Sequence, residues 1–307
     1  MNASLPRRPH LVERAADAAR AAVASEALFA RSPLKPVEVI SPPTDPVAPP
    51  AMPPPRPAAV APGRGRFAPV SRALLRRAGL VDAADPAREE IALICEQVLR
   101  AVEATVPAEG RQGRLVAITS AHTGEGKSFV ALNLGASIAD GARRPVILVD
   151  IEGGTGSLTT CLQLDGTPGL EQLRDEGDPD GMLRHTEIPG LFVLPRGLVE
   201  SSNLQGSAVT ASLLHLAERL PDHVILLDTP ACMERSIAGV LAAAAGQVVL
   251  VVEAERTKRV AVEAALDILD ACPTLQLLLN RSALRVSDRF RGRAARAGDA
   301  AIGVDKA

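Results

Sequence analysis

The sequence predicts an α/β fold: a doubly wound, mostly parallel sheet with helices on both faces. Three observations predict it. Short runs rich in Val, Ile and Leu recur between residues 114 and 280 and alternate with segments of helical spacing. Runs such as "PVILVDI" and "HVILLDTP" are apolar at consecutive positions rather than alternate ones. Strands of that kind are buried on both faces, the situation of parallel strands between two helix layers. Finally, Ser120, Asp150, Asp228 and Asn280 stand at the carboxyl ends of these runs, where open α/β sheets bind ligands.

The elements follow in order. Residues 1–32 read as an N-terminal helical segment, with Leu11, Val12, Ala15, Ala19 and Val23 at helical spacing. Residues 33–69 hold 13 of the 25 prolines. Proline fixes φ and removes a donor, so 33–85 is expected to be an extended, disordered linker, and the first 80 residues to be dispensable for stability. The stretch "PAREEIALICEQVLRAVEAT" (86–105) predicts a helix, with Glu89 and Glu90 at its positive end. Strands are predicted at 114–120, 145–151, 191–197, 223–230, 247–254 and 275–280. Helices are predicted at 126–140, 207–220, 236–246 and 257–271. One domain, 86–281, results, and 282–307 read as a flexible basic tail.

Composition narrows the function. The chain has 307 residues, 47% hydrophobic, with no Trp and no Tyr, so its core is aliphatic. A net charge of −2 supplies no global field for nucleic acid. Cys95, Cys161, Cys232 and Cys272 lie far apart, which predicts buried, reduced thiols and no metal framework. No run reaches the ~18 apolar residues of a membrane span, and the start lacks a secretory pattern. A cytoplasmic protein is expected, reaching a membrane only through a partner.

The chemistry concentrates in "AHTGEGKS", Ala121 to Ser128. It follows a predicted strand and opens a predicted helix, the setting of a phosphate-binding loop. Gly124 and Gly126 let backbone N–H groups wrap phosphates, and the helix N-terminus adds a positive end. Lys127 neutralises β/γ charge, and Ser128 offers its hydroxyl to Mg²⁺. The expected nucleotide contacts are Thr123, Gly124, Glu125, Gly126, Lys127, Ser128, Phe129 and, at the last strand end, Asn280. Asp228 ends "VILLD", where a carboxylate either holds Mg²⁺ or caps the following turn. Asp150 and Glu152 end another strand, a pairing suited to metal binding or to activating a nucleophile. The expected metal set is Ser128, Asp150 and Asp228.

These motifs together resemble the bacterial tyrosine kinases of exopolysaccharide production, P-loop NTPases, and most of all the autokinases accompanying exosortase-type loci. The resemblance covers about residues 86–281 and rests on "TSAHTGEGKSFVALNLGASIA", "VILVDIEGGTGSL", "GTPGLEQL", "LFVLPRG", "HVILLDTPA" and "GQVVLVVEAERTKRVAVEAALDIL". It implies ATP and Mg²⁺ as cofactors, Asp150 and Lys127 as catalytic residues, and an inner-membrane polysaccharide co-polymerase as partner. The departures are specific. Glu152 stands where the family has a second Asp, and Gly154 where it has a basic residue. After Glu89, Ala92 and Cys95 replace the arginines of the family's ring contact, so a monomer or small oligomer is expected. The C-terminal tyrosine cluster is missing, which excludes tyrosine autophosphorylation. A non-catalytic nucleotide-binding adaptor is one alternative. A partition-type ATPase is another, although His122 stands where that class has a second lysine.

Overall fold

The structure is a computed structural model that describes residues 68–105, 110–141, 144–173, 179–198 and 205–282, all within one compact unit. The expected N-terminal helix, the Pro-rich tract through residue 67 and the tail from 283 lie outside the described residues.

The first described segment corrects the expected linker boundary. Residues 70–85 form an ordered strap containing helix α1 (Arg72–Arg77), capped by the Ser71 hydroxyl. Val70 and Leu75 are buried, and Val70 bridges to Thr186 at the edge of the sheet. The reason is local: proline density ends at 69, and no proline occurs again until Pro86. The strap is therefore part of the core, and the expected linker ends before residue 70 rather than at 85. Helix α2 (Ala87–Ala104) comes next and buries Ile91, Cys95, Val98 and Val102 along one face.

The alternation then runs as predicted: β1 (Gln112–Ser120), α3 (Lys127–Gly141) and β2 (Val146–Asp150). Three short helices, α4 (Leu158–Cys161), α5 (Leu170–Leu173) and α6 (Pro179–Met182), fill the loop-rich stretch. Next come β3 (Arg184–His185), β4 (Leu191–Leu194), α7 (Gly206–Arg219), β5 (Val224–Asp228), α8 (Ile237–Ala244), β6 (Ala245–Glu253), α9 (Arg259–Ile268) and β7 (Leu275–Asn280). The seven-stranded sheet has the order β3-β4-β2-β5-β1-β6-β7, parallel throughout except for the β3–β4 pair. The short β3 is the strand that the sequence did not predict. Pro195 ends β4 before the expected residue 197 because proline has no N–H for the ladder.

Side chains alternate between two cores. Ile147, Val149, Ile225 and Leu227 pack with Leu213, Leu241 and Ala265 of α7, α8 and α9 on one face. Val146, Leu148, Val224 and Leu226 pack on the other with Leu75, Val98 and Leu134 of α1, α2 and α3. Helix α3 is buried nearly all round, since the strap and α2 cover the side that the sheet leaves open. Cys95, Cys232 and Cys272 are buried free thiols, whereas Cys161 is only partly buried. Among the described residues, no helix is long and apolar enough to cross a membrane.

Candidate functional site

Strand β1 delivers the chain to the loop 121–126, and α3 begins at Lys127. The loop turns at Gly124 and Gly126, whose φ values of +88° and +97° favour glycine. At Gly126 a Cβ would also collide with the Asn280 amide. That amide donates from Nδ2 to the Glu125 carbonyl at 2.9 Å. Asn280 therefore ties the end of β7 to the loop.

Glu125 is buried and braces the loop from inside. Its Oε2 accepts from the His122 N–H at 3.1 Å, and its Oε1 accepts from the Thr257 hydroxyl. The Thr257 oxygen also accepts from the Glu253 N–H at 3.1 Å, so the turn after β6 is joined to the loop. Beside the loop, Phe129, Val130, Leu278, Asn280 and Arg281 help to line a cavity of about 260 Å³.

Lys127 is 4% exposed, and its Nζ lies 3.4 Å from Glu152 Oε2. Asp150 and Asp228 are register partners at the ends of β2 and β5, and both are fully buried. Their environments differ. Asp150 Oδ1 accepts from the Gly153 N–H at 3.0 Å, and its Oδ2 accepts from the Thr159 N–H at 2.8 Å. Neither oxygen of Asp228 has a hydrogen-bond partner of normal geometry. Burial pushes the Asp228 carboxyl well above the usual carboxylate range, and the Asp150 charge adds to this. The Ser128 hydroxyl partly opposes the shift; Glu152 raises it and Lys127 lowers it.

A buried carboxylate with two unsatisfied oxygens beside a serine and a lysine is a place where a hard cation fits. Among the described residues, no three His, Cys, Asp or Glu side chains form a ready metal cage. Mg²⁺ does not need one, because it is held by one or two carboxylates together with substrate phosphates and waters. Asp228 and Ser128 fit such a half-site. Asp150 fits less directly, since its lone pairs already hold the chain after β2.

Four supports of this site went unrecognised in the sequence. Arg196, after β4, is 6% exposed and donates from Nη1 to the carbonyls of Ile151 at 2.6 Å and Glu152 at 3.3 Å. Its Nε lies 3.2 Å from Glu171 Oε1. A side chain at Gly153 would press on this arginine, so glycine there permits the close approach. Thr257 and Asn133 are the second and third. Glu234 is the fourth; its carboxylate accepts from both the N–H and the hydroxyl of Thr123.

Known proteins are similar in sequence and share the fold. The chain is 35% identical over 122 residues to the tyrosine-protein kinase Ptk of Acinetobacter johnsonii, covering 39% of this chain and 16% of that protein. It is 29% identical over 174 residues to the tyrosine-protein kinase CpsD of Streptococcus agalactiae, covering 55% of this chain and 75% of the relative. The solved kinase domain of Escherichia coli tyrosine kinase ETK superposes with a TM-score of 0.56 at 23% identity, covering 68% of this chain and 81% of that one. Over this domain the sequence is similar to bacterial tyrosine kinases, and the fold is that of a bacterial tyrosine kinase domain. Its fold is the α/β fold of the P-loop ATPases. The match reaches well under two thirds of the length of Ptk. No protein-family profile matches the chain.

Proposed function

We propose that this protein binds ATP with Mg²⁺ at the 121–128 loop and regulates exopolysaccharide polymerisation or export through an inner-membrane co-polymerase. The observation that carries the first part is Asp228: fully buried, unpartnered at both oxygens, and next to Lys127 and Ser128. In this reading the amides of Gly124 to Ser128 cradle the phosphates. Thr123 and Glu125 shape the loop, and Phe129 and Asn280 line the side where the base enters. Lys127 would leave Glu152 for the phosphates, and Ser128 and Asp228 would hold the cation. Mg²⁺, when bound there, would supply neutralisation of the phosphate charge. The membrane part of the reading rests on the resemblance to bacterial tyrosine kinases alone. It places the chain in the cytoplasm, at the inner membrane through its partner.

Asp150 is the proposed acceptor for the proton of an attacking hydroxyl. To act, it must release the amide of Gly153 or of Thr159. Transfer is therefore slow, and in the absence of tyrosine in this chain it is directed at another one. The same two hydrogen bonds favour a second reading, a nucleotide-binding adaptor without transferase activity.

Calorimetry with ATP·Mg²⁺ tests binding. Lys127→Ala should weaken it by roughly 10–100-fold, the loss of one charge-assisted contact to phosphate. Equal affinity in the variant would overturn the assignment of the loop. ADP and phosphoprotein are then assayed with and without the cytosolic segment of the co-polymerase. Partner-stimulated phosphorylation that Asp150→Asn abolishes supports the transferase, and none at all supports the adaptor.

A further inference from the structure

Glu234 lies on the turn after β5 and is exposed, yet its carboxylate is fully engaged. Oε1 accepts from the Thr123 N–H at 2.8 Å, and Oε2 accepts from the Thr123 hydroxyl at 2.7 Å. Both oxygens thus clasp one residue of the phosphate loop, 111 positions away in sequence. A backbone N–H of such a loop is a group that serves anions. Here an anion belonging to the protein is already on it.

We infer that Glu234 is a specificity residue that sets the preference between nucleoside triphosphate and diphosphate, by holding the Thr123 donors against the terminal phosphate. This rests on the proposal that the loop binds a nucleotide. The lysine of a phosphate loop reaches the β- and γ-phosphates. Glu234 is electrostatically coupled to Lys127 and to His122 after its bonds to Thr123, and these together hold its carboxyl below the usual range. Held by the two Thr123 hydrogen bonds, it is a negative charge on the Thr123 side of the loop, the side that the proposal gives to the terminal phosphate. A triphosphate must displace it from Thr123 and tolerate its charge. A diphosphate, seated deeper against the amides of Gly126 to Ser128, need do neither. The interaction of two full charges at contact range, reduced by solvent exposure and salt, amounts to about tenfold in affinity.

The test is calorimetric titration of the whole protein with ATP and with ADP, each with Mg²⁺, for wild type, Glu234→Gln, Thr123→Val and Lys127→Ala. Glutamine keeps an acceptor for Thr123 and removes the charge. The expected result is that Glu234→Gln binds ATP about tenfold more tightly while ADP changes by less than about twofold. Thr123→Val, which removes the hydroxyl half of the clasp, should shift the ratio less and in the same direction. The melting temperature of ligand-free Glu234→Gln should match the wild type, since the side chain is exposed. An unchanged ATP/ADP ratio, or weaker ATP binding in Glu234→Gln, overturns the inference. If Lys127→Ala still loses both nucleotides in that case, the nucleotide site stands and only the role of Glu234 falls. If the wild type binds neither nucleotide, both readings fall together.

Discussion

Asp228→Asn should make the ligand-free protein more stable and its cation-dependent ligand binding weaker. The structure gives the reason. Asp228 is fully buried, both oxygens lack partners, and the Asp150 charge faces it from the neighbouring strand end. Asparagine has nearly the same shape and carries no charge. It is still an unsatisfied polar group, so only the penalty tied to charge is relieved. A neutral unsatisfied buried group costs on the order of 1–3 kcal/mol and a charged one more, so relieving the charge alone should gain about 2 kcal/mol. For a domain of this size that raises the melting temperature by roughly 4–8 °C. The sign of the pH dependence comes from linkage. A carboxyl with a raised folded pKa binds its proton more tightly in the folded state. Its stabilising contribution is present below the ordinary pKa of 3.8 and is lost as pH rises through the raised folded value. The advantage of Asp228→Asn should therefore grow across that window and level off above it. The assay is differential scanning calorimetry from pH 4 to 8, with and without ATP·Mg²⁺. At a ligand concentration of about 100 Kd the wild type should gain about 2.7 kcal/mol from the ligand. The variant should lose the Mg²⁺-dependent part of that gain. A lower ligand-free melting temperature in Asp228→Asn, or an intact response to Mg²⁺, would refute the reasoning.

The same contacts set other expectations. Leu75→Ala removes a fully buried side chain of the strap and should cost about 2–5 kcal/mol in chemical denaturation; no loss would mean that the strap is not part of the core. Gly126→Ala should break the Asn280–Glu125 hydrogen bond and strain a φ of +97°, so ATP affinity measured by calorimetry should fall well beyond the effect of Gly141→Ala at the far end of α3. Light scattering of the protein alone should report a monomer or small oligomer, because Ala92 and Cys95 stand where the family that the sequence resembles is expected to carry the arginines of a ring contact. A stable ring of many subunits would count against that. Incubation with ATP·Mg²⁺ alone should give no signal with a phosphotyrosine antibody, since the chain contains no tyrosine.

The legible features of the sequence were contiguous ones. The loop, its glycines, Lys127 and Ser128 lie within eight residues, and the strands announce themselves as unbroken aliphatic runs. Distant partners left no such trace. Glu234 reaches Thr123, Thr257 reaches Glu125 and Arg196 reaches Ile151 only after the sheet brings their strand ends together. The difference between Asp150 and Asp228 was equally hidden, because "VILVD" and "VILLD" read alike. The chain just beyond each aspartate makes the difference. After Asp150 it folds back and offers the Gly153 and Thr159 amides. After Asp228 comes Thr229, whose N–H goes to Ile118, and then Pro230, which has no N–H to give. The strap was missed because the proline-rich composition before it dominated the reading, while its ordering depends on the core that receives Val70 and Leu75.

Asn133 gives the strap a further meaning. It is buried on α3, and its Nδ2 donates to the carbonyls of Phe129 and Gly79 while its Oδ1 accepts from the Val81 N–H. Lifting the strap would strand both a donor and an acceptor inside the core, at a cost comparable to losing the hydrogen bonds outright. Residues 79–81 and the opening turns of the helix after the phosphate loop must therefore unfold as one cooperative unit. In hydrogen exchange, the Val81 amide becomes a clock for that helix. Its protection should rise and fall with that of the amides near Ser128, although the two positions lie 47 apart in the sequence.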